Sequence, residues 1–548
     1  MSRTPRTKQT KGHNVPDFSS SSRPSWFQRF GFGLLGVLAC GLFARPAAAQ
    51  TPATPGTTAI PAPTETDTAA PPPAAPAPEA ALNLSDLQNR VDAAEQASRI
   101  AVRRVEILEE QLAAKAKEPK EPPVLNAGEK GYTFRSSDGL YLLRINGLLQ
   151  VDTRWFLNDG ALSDKADTFL IRRMRPGISG TLLGIVDYRF IPDFSGASLA
   201  VFDAYADIHP VPWLRLRAGK FKTPLGLERL QQDADLVFME RALTQNLTPQ
   251  RDVGAALGGE VASGILTYSL GIYNGAADAA NPDVDTNHAK DFVGRVLIQP
   301  FKAESLSWLG SLGLHFAAST GNRFATPAAP GLPSYKSGGQ NTIISYVSAT
   351  TDPSNTPFAH LRQTRLNPGL YYYYAGFGVL GEYVWDKQEV QKGNTTTNLT
   401  NQAVHATASF VINGKNGYDG ATPNTVLDLT KGTWGALEIG VRWNYLKLDD
   451  ATITPLTAAA PAAPTDPTLI AFADGTKSAL KAQAFAGAIN YIPSRTFRLA
   501  VDFEQTRFTD GASAKLATTD ASGAAKTITV YANRKTENAL MGRIQVNF

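Results

Sequence analysis

The sequence predicts an all-β fold: a transmembrane 16-stranded antiparallel β-barrel with an N-terminal coiled-coil helix. Three observations predict it. Residues 132–548 alternate apolar or small side chains with polar ones, as strands do when their two faces meet different surroundings. The chain closes on such a strand, with Gly542, Ile544, Val546 and Phe548 interleaved with Arg543, Gln545 and Asn547. Its other end has the order of an export leader.

Residues 1–49 read as a secretory signal peptide. Basic residues (Arg3, Arg6, Lys8, Lys11, Arg23, Arg29) precede the apolar stretch Gly31–Ala44, and Ala47-Ala48-Ala49 offers a small-residue cleavage site before Gln50. The apolar stretch is shorter than the ~20 residues of a spanning helix. The single cysteine, Cys40, lies inside this leader, so the mature chain is expected to form neither disulfides nor thiolate metal sites.

Residues 50–81 are nearly all Ala, Pro and Thr, an extended spacer that cannot build a core. Residues 82–118 change period. Leu84, Leu87, Val91, Ala94, Ser98, Ala101, Val105, Leu108 and Leu112 recur at spacings of three and four, the seam of a coiled coil. Pro119 and Pro122-Pro123 stop the helix.

The barrel then occupies 132–548. In Tyr141–Trp155, Leu143, Ile145, Gly147, Leu149, Val151, Thr153 and Trp155 share one face, with Arg144, Asn146, Leu148, Gln150, Asp152 and Arg154 on the other. Sixteen such segments run to Ala539–Phe548, an even number as bacterial barrels require. Tight turns are expected at Ala262-Ser263-Gly264, Ala375-Gly376-Phe377 and Tyr491–Ser494, and long polar loops at Thr320–Arg365, Gln388–Gln402, Asp449–Lys477 and Thr509–Glu537. A mean hydropathy of −0.18 agrees, because only alternate residues of a barrel strand face lipid.

The polar faces of the early strands are rich in arginine. The second strand carries Arg173 and Arg175, and the third Asp187 and Arg189. The fourth carries Asp203, Tyr205 and Asp207, and the fifth Arg215 and Arg217. Arg172 falls on the opposite row and is expected outward, at the rim or toward a neighbouring subunit. Residues 220–254 break the alternation. With Leu236, Val237, Phe238, Met239 and Leu243 they are expected to fold into the barrel as a constriction, bringing Lys220, Lys222, Arg229, Arg241 and Arg251 to its narrowest point. Guanidinium groups around water attract anions and bind oxyanions bidentately; pairing of Arg with Asp across a wet lumen is the plainer reading of the same pattern.

These residues resemble the phosphate-selective porin O and P family. The resemblance lies in Leu-x-Gly-x-Leu-Gln-Val-Asp on the first strand, Phe-Leu-Ile-Arg-Arg-Met-Arg on the second and Phe202-Asp-Ala-Tyr on the fourth. Arg217-Ala-Gly-Lys-Phe-Lys-Thr-Pro-Leu-Gly-Leu-Glu-Arg229 and the closing Gly-Arg-Ile-Gln-Val-Asn-Phe extend it. It implies a trimeric barrel in the outer membrane of a Gram-negative-type bacterium. Its third loop folds inward, and Arg172, Arg173, Asp203, Arg217 and Arg229 serve passive passage of small phosphate-like anions. Leu148 and Asp187 depart from the family's basic positions and leave open a general solute porin with little selectivity.

An envelope tether, with the barrel as anchor for the coiled coil, is a further reading. An enzyme is not expected: there is no Gly-x-Ser-x-Gly elbow, and the six histidines form no metal-ligand spacing. The expected partners are small anions, outer-membrane lipids and two further copies of the chain, with no cofactor, metal or nucleic acid.

Overall fold

The computed structural model describes residues 84–117, 123–129, 131–157, 166–285, 287–302, 308–348, 355–453, 472–474, 477–511, 513–519, 525–531 and 535–548. The expected signal peptide and spacer lie outside them. The chain divides into two units, Met1–Ile107 and Leu108–Phe548. A helix covers Leu84–Lys117, and Val91 and Val105 of its heptad stripe are exposed.

Sixteen antiparallel strands form a closed wall. The first eight are β1 (Leu142–Phe156), β2 (Thr168–Leu182), β3 (Val186–Asp193), β4 (Ala200–Val211), β5 (Leu214–Phe221), β6 (Asp252–Val261), β7 (Leu266–Tyr273) and β8 (Asp291–Ile298). The others are β9 (Gly313–Phe324), β10 (Phe358–Tyr374), β11 (Phe377–Lys392), β12 (Thr395–Ile412), β13 (Ala436–Lys447), β14 (Ala479–Ser494), β15 (Phe497–Gly511) and β16 (Glu537–Asn547). Each pairs with the next, and β16 closes on β1 from Ala539↔Phe156 to Asn547↔Leu148.

Beyond Phe548 the seam is continued by a hairpin, Val124–Gly128 with Gly131–Arg135, whose second strand pairs with Leu142–Ile145. Phe548 and Gly147 exchange backbone hydrogen bonds of 2.8 and 3.0 Å, and the Phe548 ring meets Tyr132 edge-on at 6.4 Å. The terminal aromatic is thus clasped, and Gly147 is small because a Cβ there would strike that ring.

Burial is inside-out. Along β1, Gln150, Asp152 and Arg154 are buried while Leu149, Val151 and Trp155 are exposed. Along β16, Arg543 and Gln545 are buried while Leu540 and Ile544 are exposed. An outer surface this apolar suits hydrocarbon, and the alternation matches a barrel wall. The connections largely follow expectation. Ala262 and Ser263 take φ near +50°, as does Ala375, in the tight turns at those positions.

One loop is corrected. Gln388–Gln402 is not a loop but the ends of β11 and β12, which stay paired to Lys392↔Thr395 across Gly393-Asn394. Gly393, at φ +54°, supplies the turn, and inward Val390 and Leu399 pack on Phe472, which holds the extension in place. Likewise β9 and β10 reach further into the expected 320–365 loop, to Phe324 and from Phe358.

The interior is not uniformly wet. From β11 to β15 the inward positions Val384, Ala403, Leu446, Ala482, Ala484 and Phe508 are apolar. Leu243 and Leu247 from the β5–β6 loop, Tyr335, Ile343 and Ile344 from the β9–β10 loop, and Ile453 and Ala473 from the β13–β14 loop cover them. Part of that side of the lumen is filled by a hydrophobic core, while other inward positions of the same strands, Glu382, Asp386, Glu438, Arg442, Arg498 and Glu504, are buried and charged.

Candidate functional site: a charged lane beside an inward loop

The segment between β5 and β6 folds into the barrel and crosses it. It is anchored first at β10 and β11: Gly226 N–H donates to Asn367 Oδ1 (2.8 Å) and Leu227 N–H to Glu382 Oε2 (2.5 Å). It then crosses to β1 and β16, where Gln150 Nε2 donates to the Asp233 carbonyl (3.2 Å) and Gln545 Nε2 to that of Ala234 (3.0 Å). It passes β13–β15 through Arg498 to Leu236 O (2.5 Å), Asn490 to Val237 O (2.7 Å) and Arg442 to Glu240 O (2.8 Å). Its return brings Thr244 and Gln245 back to Glu382 (3.1 and 2.6 Å). Buried backbone needs such partners, and here the wall side chains supply them.

The connection between β12 and β13 braces the loop as well. Tyr418 stacks on Tyr371 at 4.8 Å and donates to Leu227 O (2.6 Å), while Gln231 donates to the Tyr418 carbonyl (2.8 Å).

The cations expected in the lumen mostly meet carboxylates. Asp233, at the loop's crossing, takes Arg241 (2.7 Å), Arg173 (3.6 Å) and Arg175. Arg175 also holds Asp193 (2.6 Å) and lies flat over Phe202 at 3.7 Å. Asp203 is shared by Arg251 (2.9 Å) and Arg189 (3.5 Å), with Arg251 on the Phe202 ring at 4.4 Å. Asp207 is shared by Arg217 (2.6 Å) and Arg215 (3.4 Å). Burial opposes the charge of Asp233, but Arg173, Arg241 and Arg175 outweigh it and hold its carboxyl well below the usual range.

Two expected cations meet only carbonyls among the described residues: Lys222 donates to Gln231 O (2.6 Å) and Arg229 to Gln245 O (2.6 Å). Burial, helped by Arg241, lowers the Lys222 ammonium well below its ordinary value. Burial raises Asp235, near the loop's crossing, to about 6.

Two placements are corrected. Arg172 does not face outward. A bulge between Gln150 and Val151 leaves it without a partner on β1, and both arginines of the pair turn inward. Arg172 holds Glu240 through Nε and Nη2 (2.6 and 3.0 Å), and Arg154 takes the same carboxylate. Lys220, by contrast, lies on the outward row of β5 with Leu216 and Ala218. It is covered by the β7–β8 loop, donating to Asp283 (2.5 Å) and Asn281 O (3.3 Å); it lines no lumen cavity described here.

Sequence reasoning missed Asp233 and Glu240 as hubs. Their signal was an isolated acid in an arginine-bearing loop. It also missed Glu382, which it left unremarked on a late strand.

Glu228, Glu382 and His405 lie close enough together to suggest a metal site. The carboxylate lone pairs are largely used, and His405 meets Thr244 through Nδ1 at 3.0 Å while its Nε2 has no partner among the described residues. Glu382 accepts from Leu227, Thr244, Gln245 and Asn367 (3.0 Å), and Glu228 from Ala242 N–H (2.7 Å), beside Arg442 at 3.5 Å. The cluster fits an anchor for the loop better than an ion.

Open space follows the charged side. A cavity of about 310 Å³ lies among Arg175, Arg189, Asp203, Arg217, Lys222 and Arg251. A second, of about 510 Å³, continues from Arg217, Phe221 and Lys222 toward the rim of short turns.

The family model described as phosphate-selective porin O and P matches residues 143–530. Among solved structures, an anion-selective porin from Comamonas acidovorans is similar at 11% identity, covering 74% of this chain and 100% of its own, with a TM-score of 0.44. The outer membrane channel DcaP of Acinetobacter baumannii gives 12%, 77%, 100% and 0.43 in the same order. The trimer form of OmpT, an outer membrane protein of Vibrio cholerae, gives 12%, 74%, 99% and 0.42. No curated protein matches the chain.

Proposed function

Because the chain belongs to the phosphate-selective porin O and P family, and is thus an outer-membrane porin, we propose that it passes small anions, phosphate-like ones among them. It would do so by passive diffusion, as a homotrimer set in outer-membrane lipid. One observation supports anions above all: three carboxylates of the lane serve two or three cations each, while Asp193 shares Arg175 with Asp233. Asp233 serves Arg173, Arg175 and Arg241, Asp203 serves Arg189 and Arg251, and Asp207 serves Arg215 and Arg217. Lys222 adds a further charge with a carbonyl as its partner. The surplus positive field raises local anion concentration, while guanidinium groups already engaged by carboxylates bind a passing anion weakly enough to release it.

The test is the reversal potential of the reconstituted protein under a KCl gradient, followed by phosphate titration of the chloride current. Anion selectivity with phosphate block is expected. Cation selectivity overturns the reading, and anion selectivity without block reduces it to a general anion porin. That weaker version has its own support, since the N–H groups a phosphate would need are largely committed to Asp and Glu, and Leu148 stands where the family carries a base.

The helix Leu84–Lys117 is proposed to assemble with two copies of itself, because Val91, Ala94, Ser98, Ala101 and Val105 of its heptad stripe are exposed in the single chain. Cross-linking of cysteine pairs placed at positions 91 and 105 tests this.

A further inference from the structure

Arg217 offers the lumen a face as well as an edge. Arg217 directs both Nε and Nη2 at a single oxygen of Asp207 (3.0 and 2.6 Å), and its guanidinium lies over the Tyr205 ring at 4.4 Å. Its side chain is nevertheless 29% exposed and borders the cavity of about 510 Å³. A compact oxyanion is gripped by a fork of N–H donors. Asp207 takes two of the five N–H donors of Arg217, both at one oxygen, and the Nη1 end of the fork has no partner among the described residues. What Arg217 offers the cavity is a cationic plane as well as that end, with the Tyr205 ring at 4.4 Å and the Phe221 ring at 5.4 Å.

The rest of the cavity agrees. Arg215, 45% exposed, with Lys222 and Arg295, borders it, and Glu260 is the one carboxylate among its described lining residues. Arg295 donates to His315 Nδ1 (3.2 Å) rather than to an acid. Phe221 and Tyr273, edge-on at 5.5 Å, form an aromatic side. Tyr273 rests on Gly254 and Gly271, where any Cβ would strike its ring. Its hydroxyl is buried and lacks a partner among the described residues, a donor with no acceptor. A net positive, partly aromatic chamber of this volume is well matched to a flat organic anion.

We propose that this chamber is a binding station for planar aromatic carboxylates, the ring stacking on the free face of Arg217 and the carboxylate turned toward Arg215 and Lys222. The proposal rests on the anion-channel reading and narrows its solute class. Stacking of a π-system on a guanidinium plane is favourable where water is partly excluded.

The experiment compares block of chloride current by benzoate, cyclohexanecarboxylate and phosphate, using the full chain in planar bilayers. Benzoate and cyclohexanecarboxylate share charge and approximate size, but only one has a π-face. Benzoate is expected to half-block at roughly three- to tenfold lower concentration than cyclohexanecarboxylate. Arg217→Lys, which keeps the charge and loses the plane, brings the ratio close to one. Equal block by the two carboxylates in the unaltered protein overturns the inference, and so does a ratio that survives Arg217→Lys. Both outcomes leave anion selectivity standing, whereas a cation-selective reversal potential defeats the channel reading itself.

Discussion

The two sides of this barrel use the same backbone for opposite ends. On the β1–β8 side the inward row bears charge: Arg175, Arg189, Asp203 and Arg217 border a cavity of about 310 Å³. On the β11–β15 side part of it bears Val384, Ala403, Leu446, Ala484 and Phe508, sealed under three loops, and the charged residues beside them, such as Glu382, Arg442 and Arg498, hold the inward loop. A polar lumen is therefore not a property of the barrel as a whole. Apolar inward residues become affordable only where a loop removes them from water, and the loop that fills one side defines the lane along the other.

The largest effect is expected where the loop is anchored. Glu382→Ala leaves the donors of Leu227, Thr244, Gln245 and Asn367 without their buried acceptor, a loss of about 4 kcal/mol. Thermal unfolding in detergent should register it, together with larger, noisier single-channel currents as the loop comes loose. Unchanged currents would mean that the loop does not set the cross-section.

Leu446→Ala, in the sealed side, should cost about 3 kcal/mol through its cavity without altering ion selectivity. A selectivity change there would break the division between the two sides. Lys222→Glu acts on the lane instead, reversing a charge beside Arg217 and Arg251. The anion-to-cation permeability ratio is expected to fall roughly tenfold, equivalent to about 1.4 kcal/mol.

A smaller effect follows from pH. Asp235, raised to about 6 by burial, loses its negative charge as pH falls through that value, so anion preference should rise between about pH 7.5 and 5. Lys222, lowered by burial, is charged below its shifted pKa and loses that charge as pH rises through it, short of the range of ordinary lysines. Anion preference should therefore fall on the alkaline side, and Lys222→Gln should flatten that limb. The smallest effect is expected at Lys220→Ala, two residues from Lys222 but on the outer row. Its pair with the half-exposed Asp283 is worth at most about 1 kcal/mol, and selectivity should not move.

Much of this was legible from alternation alone. All sixteen expected segments correspond to strands, because a wall between lipid and interior must reverse polarity at every residue. The inward loop was legible too, since Leu236, Phe238 and Met239 have no place on an exposed connection and are buried. Lys220 was misplaced although parity with Leu216 already put it outside; proximity to Lys222 obscured the period. Arg172 could not have been placed, since a one-residue bulge resets the parity and nothing in Arg-Arg marks it.

The sequence by itself determined the wall, its count of strands, the alternating last strand that ends in phenylalanine and the cationic row, because each is a matter of local period and side-chain type. Only the tertiary structure decided which acids those cations meet, which side of the lumen is filled, and where space remains. Those depend on residues far apart in the chain, Asp233 beside Arg173 and Glu382 beneath Leu227, brought together by a loop whose path is set by the partners it finds across the barrel.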